Sequence, residues 1–96
     1  MADGWVYIMA DRYRGTLYIG ITSNLAARVH AHREGRGSKF CSRYRLTRLV
    51  YVEQTPAITD AIAREKALKK WNRAWKIKLI EQANPDWLDL FEMINA

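Results

Sequence analysis

The chain is poor in cysteine, with Cys41 alone among its 96 residues. One thiol excludes an internal disulfide and a cysteine-based zinc site, and it fits a reducing, cytoplasmic compartment. Long apolar runs are also missing. The clearest early one, Trp5 to Ala10, stops at Asp11 and is far too short to span a membrane. The N-terminus opens Met-Ala-Asp-Gly, with no basic region leading into an apolar stretch, so no signal peptide is expected. Acids are scarce where bases are dense. Arg12 to Arg48 holds nine Arg/Lys against Glu34 alone, and Arg64 to Lys78 holds seven against Glu65 alone. From Glu81 onward the pattern reverses, with four acids and no base. There is no repeat, linker or low-complexity segment.

Apolar residues make up 49% of the chain, enough to fold rather than stay disordered. The length suits one domain with one modest core. The net charge is +6, and its uneven distribution points to a basic face for a polyanion, most simply nucleic acid. Solvated helix faces are the plainer alternative.

Trp5 to Ala10 and Leu17 to Ile21 read as strands joined by a turn over Asp11 to Gly15. Ser23 or Asn24 caps a helix running to about Arg33. A Gly-containing loop follows, and Leu46 to Glu53 alternates as a third strand. Thr55-Pro56 and Thr59-Asp60 start a helix through about Trp71, and Asn72 caps another over Ala74 to Gln82. Asn84-Pro85-Asp86 then starts a short final helix. The order is ββαβααα: an α+β fold, a three-stranded antiparallel sheet flanked by helices.

Val6-Tyr7-Ile8 and Tyr18-Ile19-Gly20 are the two halves of the first hairpin. Opposed residues in an antiparallel pair have a constant index sum, and an odd sum puts Tyr7 and Tyr18 on one face. With Gly20 beside Tyr7, the missing side chain leaves room for a phosphate or a close backbone approach. Two packed aromatics are the structural alternative. On the first helix, Leu25 and Val29 form an apolar seam flanked by Arg28 and His32 at i,i+4 spacing. Arg28 either snorkels or holds a phosphate through its planar fork. His32 is a candidate general acid or base, phosphate contact or metal ligand. On the second helix, Glu65 falls within the stripe of Ile58, Ala61, Ile62, Leu68 and Trp71. A carboxylate there needs a partner: either an Arg28–Glu65 bridge or a hard divalent cation completed by waters and a substrate phosphate.

The ordered set Val6-Tyr7-Ile8, Tyr18-Ile19-Gly20, Arg28 and Glu65 resembles the GIY-YIG nuclease domain over nearly the whole chain. It is most similar to small, single-domain bacterial members described as predicted endonucleases. Tyr18-Ile19-Gly20-Ile21-Thr22, Leu49-Val50-Tyr51-Val52-Glu53 and Ala63-Arg64-Glu65-Lys66-Ala67-Leu68-Lys69-Lys70-Trp71 carry that likeness. The resemblance implies a nuclease domain over residues 1–83, with residues 84–96 a helical extension of the same domain. It implies metal-dependent hydrolysis of DNA phosphodiesters, structure-selective in repair or recombination, with one Mg²⁺ or Mn²⁺ ion on Glu65. Tyr7, Tyr18, Arg28, His32 and Glu65 become the catalytic set, with one of the phenols helping to deprotonate water. Gly20, Lys39, Arg43, Lys69 and Lys70 become substrate contacts. His32 stands where members carry Tyr or His. The first tripeptide departs from Gly-Ile-Tyr but keeps its tyrosine. Ile21 replaces a lysine of some members, and Asn72 is the nearest match to a downstream asparagine, although an N-cap role explains it equally.

A non-catalytic nucleic-acid-binding module of the same fold is the alternative, with Phe40 and Tyr44 in the basic loop Arg36 to Arg48 stacking on an exposed base. In the tail, Trp87, Leu88, Leu90, Phe91 and Ile94 either fold back on the domain or form a weak homodimer contact.

Overall fold

The structure, a computed structural model, describes residues 3–94; residues 95–96 of the expected extension lie outside it. Strands β1 (Gly4–Ala10), β2 (Leu17–Thr22) and β3 (Arg48–Thr55) form one antiparallel sheet in the order β2-β1-β3. Helices α1 (Leu25–Arg33) and α2 (Lys39–Tyr44) lie between β2 and β3, and α3 (Ile58–Lys70), α4 (Arg73–Ala83) and α5 (Phe91–Ile94) follow β3. The α+β architecture and the order of the major elements match the sequence reading. The addition is α2, a single short helix in the stretch read as loop. Ser38 starts it by accepting a hydrogen bond from the Cys41 amide at 3.4 Å, and Arg45 ends it in a left-handed conformation.

The central strand explains the layering. Val6 to Ala10 are all fully buried, because a strand covered on both faces has no solvent side and reads as a continuous apolar run. Two apolar clusters result, not the single core expected from length. Val6, Ile8, Ile19, Val50, Ala61, Leu68, Ile80 and Trp87 pack on the face covered by α3 and α4. Tyr7, Met9, Leu25, Val29, Cys41, Leu46 and Leu49 pack on the face covered by α1 and α2. β1 serves both clusters by alternation, so one thin sheet supports two half-cores in a single domain.

Asn24 and Asn72 act as N-caps, accepting from the Ala27 amide at 3.2 Å and the Trp75 amide at 2.8 Å. Pro85 does not start a helix: α5 begins only at Phe91. The intervening chain is instead fixed by side chains that no local helix signal reveals. Buried Asn84 donates to the carbonyls of Val50 (3.1 Å) and Leu88 (2.9 Å) and accepts from the Leu88 amide (3.0 Å). The Leu90 amide donates to Leu49 O at 2.8 Å, and Asp89 accepts from the Leu49 amide at 3.2 Å. The tail thus folds back and covers part of the outer edge of β3. β2 is the other edge of the sheet, and among the described residues no backbone hydrogen bond covers its outer side.

Candidate active site

The hairpin register pairs Tyr7 with Gly20 and Ala10 with Leu17, an index sum of 27. The sum is odd, so Tyr7 and Tyr18 share the face that α1 covers, with ring centroids 6.4 Å apart. A Cβ on Gly20 would lie 2.5 Å from Tyr7 Cζ and Oη. The space that Gly20 leaves is therefore filled by the Tyr7 phenol rather than left open for a phosphate. Asn24 sets the start of α1, and the helix then turns Arg28 and His32 toward that phenol. Arg28 Nε donates to Tyr7 Oη at 3.1 Å, and Tyr7 Oη and His32 Nε2 share a hydrogen bond of 2.7 Å. Which of the two carries the bridging proton follows from the imidazole tautomer.

These four groups differ sharply in exposure. Tyr7 is fully buried and His32 nearly so. Burial pushes the Tyr7 phenol up to about 12, against the opposing pull of Arg28. Burial, then the Arg28 charge, pushes His32 down to about 4, so His32 is neutral at pH 7. Its Nδ1 is buried without a partner among the described residues. The backbone of Gly37 presses on the ring, since a Cβ there would meet Nδ1 at 2.4 Å. Only the glycines of the loop hinted at this wall. The Arg28 guanidinium is held above its usual value, by its bond to Tyr7 first and by Tyr18 to a smaller degree. Tyr18 is half-buried. It stacks on Phe40 of α2 (6.2 Å, 28°), which in turn contacts Tyr44 at 4.9 Å.

Glu65 stands apart from this cluster. Its side chain is 18% exposed, and its ion-pair partner is Lys69 at 3.4 Å, one helical turn on. No Arg28–Glu65 bridge forms among the described residues; Arg28 is engaged by Tyr7. Lys69, the partner of Glu65, reaches toward the edge strand β2. There a cleft of about 310 Å³ is lined by Tyr18, Ile19, Phe40, Lys69 and Lys76. Tyr18 enters from the α1 face, and Lys69 from the α3 face. Lys39, Arg43 and Lys70 are exposed, and Arg43 lies over the Tyr44 ring at 5.5 Å. Asn72 is an N-cap through Oδ1. Ile21 packs on the α3 face.

The buried stripe of Ala61 and Leu68 seats α3 on the sheet, and the neighbour of Glu65 ties the helix to β3. Arg64 Nε donates to Glu53 Oε2 on β3 at 2.8 Å, Glu53 Oε1 accepts from Tyr51 at 2.9 Å, and the guanidinium lies over Trp71. Successive helical residues point about 100° apart. Holding Arg64 to β3 therefore turns Glu65 away from β3.

The GIY-YIG catalytic domain model matches residues 3–78. The chain belongs to the GIY-YIG family. A UPF0213 protein of Staphylococcus haemolyticus is 37% identical over 85% of this chain and 99% of its own length. Another, of Syntrophus aciditrophicus, is 36% identical over 90% of this chain and 98% of its own. Neither name states an activity. The family is one of nucleases, and these relatives are small bacterial proteins of similar extent. No solved structure matches. No helix among the described residues is long and apolar enough to cross a membrane.

Proposed function

We propose that this protein is a metal-dependent DNA endonuclease that hydrolyses phosphodiesters at the β2-edge cleft. The observation that carries this reading is the Arg28–Tyr7–His32 cluster, with Tyr18 beside it on the same face. The buried phenol is held by a guanidinium and an imidazole whose Nδ1 has no partner among the described residues, more polarity than packing alone requires. It sets one arginine rigidly beside the one phenol that reaches the cleft.

The residues suit a single hard cation. Among the described residues no three His, Cys, Asp or Glu side chains cluster to hold a metal. Mg²⁺ and Mn²⁺, however, commonly bind one or two carboxylates, with waters and substrate phosphate completing the shell. Glu65, partly open to solvent and paired only with a displaceable lysine, meets that requirement. When bound, such an ion supplies charge stabilisation at the phosphate and leaving oxygens.

This chain's own groups do the rest. Tyr7 is too buried and too basic to meet water. It positions Arg28, whose remaining guanidinium donors stabilise the pentacovalent phosphate. Tyr18 orients the attacking water and takes part in its deprotonation. Neutral His32 fixes the Tyr7 hydroxyl. Lys69 exchanges Glu65 for a phosphate oxygen, and Lys39, Arg43 and Lys70 contact flanking phosphates. The exposed Phe40 and Tyr44 stack on an unpaired base, which favours branched or flapped DNA of the kind met in repair or recombination. Residues 1–83 carry the activity, and residues 84–94 of the extension brace the sheet. Buried Cys41, with its thiol raised to about 11 by burial, suits a reducing cytoplasm. Of the tail's large apolar residues, only Leu88 and Met93 are exposed among the described residues, so a homodimer through the tail is weak, and sedimentation against concentration reads it.

The test is cleavage with and without Mn²⁺ across duplex, flap, branched and single-stranded DNA. Metal-dependent products, strongest on substrates with unpaired bases, support the reading. Binding to all substrates with cleavage of none leaves the binding-module alternative.

A further inference from the structure

A second cleft lies at the tip of the β1–β2 hairpin, and none of Tyr7, Tyr18, Arg28, His32 and Glu65 lines it. It has a volume of about 410 Å³ and is lined by the hairpin residues Arg12 and Arg14 to Leu17, with Arg73 and Lys76 of α4. Arg73 builds it: Nη2 donates to Arg14 O at 2.5 Å and Gly15 O at 2.7 Å, tying the hairpin tip to the start of α4. Arg14 is held by a bidentate pair with Glu81 on α4, at 2.7 and 2.8 Å. Arg12 pairs with its neighbour Asp11 on the exposed surface. Lys76 makes no ion pair among the described residues. Four cations meet two carboxylates here, so the cleft is net positive. Such a concavity concentrates anions.

Position decides what the cleft takes. Leu17 and Lys76 line both this cleft and the one holding Tyr18, Phe40 and Lys69. The two clefts therefore adjoin at these residues beside the edge strand β2 and together form a stepped groove. Cations stand along the groove, Lys69 and Lys76 in the half that holds Tyr18 and Arg12 and Arg73 at the far end. One polyanionic chain, rather than a single small anion, matches two connected basic clefts.

We propose that the hairpin-tip cleft is a backbone anchor for the nucleic-acid strand whose scissile phosphate sits at Tyr18. Lys76 and Arg12 neutralise phosphates of that same strand on the side toward the hairpin turn. The strand's course rests on the nuclease reading; the anchor itself is a binding site and is read out by binding alone. Phosphate contacts fix register without reading sequence, so the anchor sets where along a strand the cut falls.

The experiment measures affinity of the full chain for a labelled flapped oligonucleotide, in EDTA, as a function of salt. Lys76→Ala and Arg12→Ala are compared with Lys78→Ala, which removes the same charge from the opposite face of α4. The expected result is that each of the first two lowers the slope of log affinity against log salt by about 1, as loss of one phosphate contact does. Lys78→Ala keeps the wild-type slope. Under cutting conditions, Lys76→Ala and Arg12→Ala also blur the cut position. Equal slope changes for Lys76→Ala and Lys78→Ala would show that binding follows net charge, and would overturn the anchor. So would a wild-type chain that binds no DNA. A wild-type chain that binds with the predicted slopes but cuts nothing under any metal upholds the anchor and defeats only the nuclease reading.

Discussion

A methyl group at position 20 would overlap the Tyr7 phenol at 2.5 Å and the Tyr18 ring at 2.9 Å. Gly20→Ala must therefore push the phenol off Arg28 and His32. It should destabilise the fold by about 1–3 kcal/mol and abolish cleavage, with DNA affinity in EDTA nearly unchanged. Tyr7→Phe leaves both His32 nitrogens unpaired and should cost about 1–3 kcal/mol in urea unfolding. His32 also predicts a pH dependence. Its value falls from 6.5 in the unfolded chain to about 4 in the folded one, so between these pH values the unfolded chain binds the extra proton. Stability should then drop as the pH falls from about 6.5 through 4, by roughly 3 kcal/mol in total. His32→Gln should flatten that slope; an unchanged slope would show that His32 is not the group responsible.

Among the elements, the strands, α1, α3 and α4 were legible in the sequence because each carries a local signal: alternation, an Asn cap or an apolar stripe. Strand parity also foresaw both phenols on one face. The rest depended on contacts between residues distant in sequence. Ser38 starts α2 within a stretch rich in charge and glycine, where six residues leave no readable periodicity. Pro85 carries a helix-start signal that is overridden by buried Asn84 reaching Val50 and Leu88. Glu65, read from the sequence onto the apolar stripe of α3, has a side chain 18% exposed, and the sequence did not reveal that its neighbour Arg64 grips Glu53 across to β3. That grip gives a prediction. Glu53→Gln should lower stability by only about 1–2 kcal/mol, because the pair is partly exposed. It should nevertheless weaken metal-dependent cleavage several-fold while leaving DNA affinity in EDTA intact. Equal losses in both would mean that α3 does not rotate.

Across the whole molecule, a thin sheet with two half-cores leaves one edge covered by the tail and the other open. Trp87 sits fully buried at the join between the tail and the α3–α4 layer, its indole donating to Glu81 at 2.7 Å. Trp87→Ala should cost about 3–5 kcal/mol, read by chemical denaturation. The β2 edge gathers Tyr18, Phe40 of α2, Lys69 of α3 and Lys76 of α4 around one groove, and Lys69 pairs with Glu65. The claim that this groove cuts DNA is tested most directly by nicking of supercoiled plasmid with Mn²⁺, comparing the wild-type chain with Glu65→Gln. The wild type should nick and stop nicking in EDTA. Glu65→Gln should fold and bind DNA as the wild type does, yet nick at background level. Full nicking by Glu65→Gln would contradict the account.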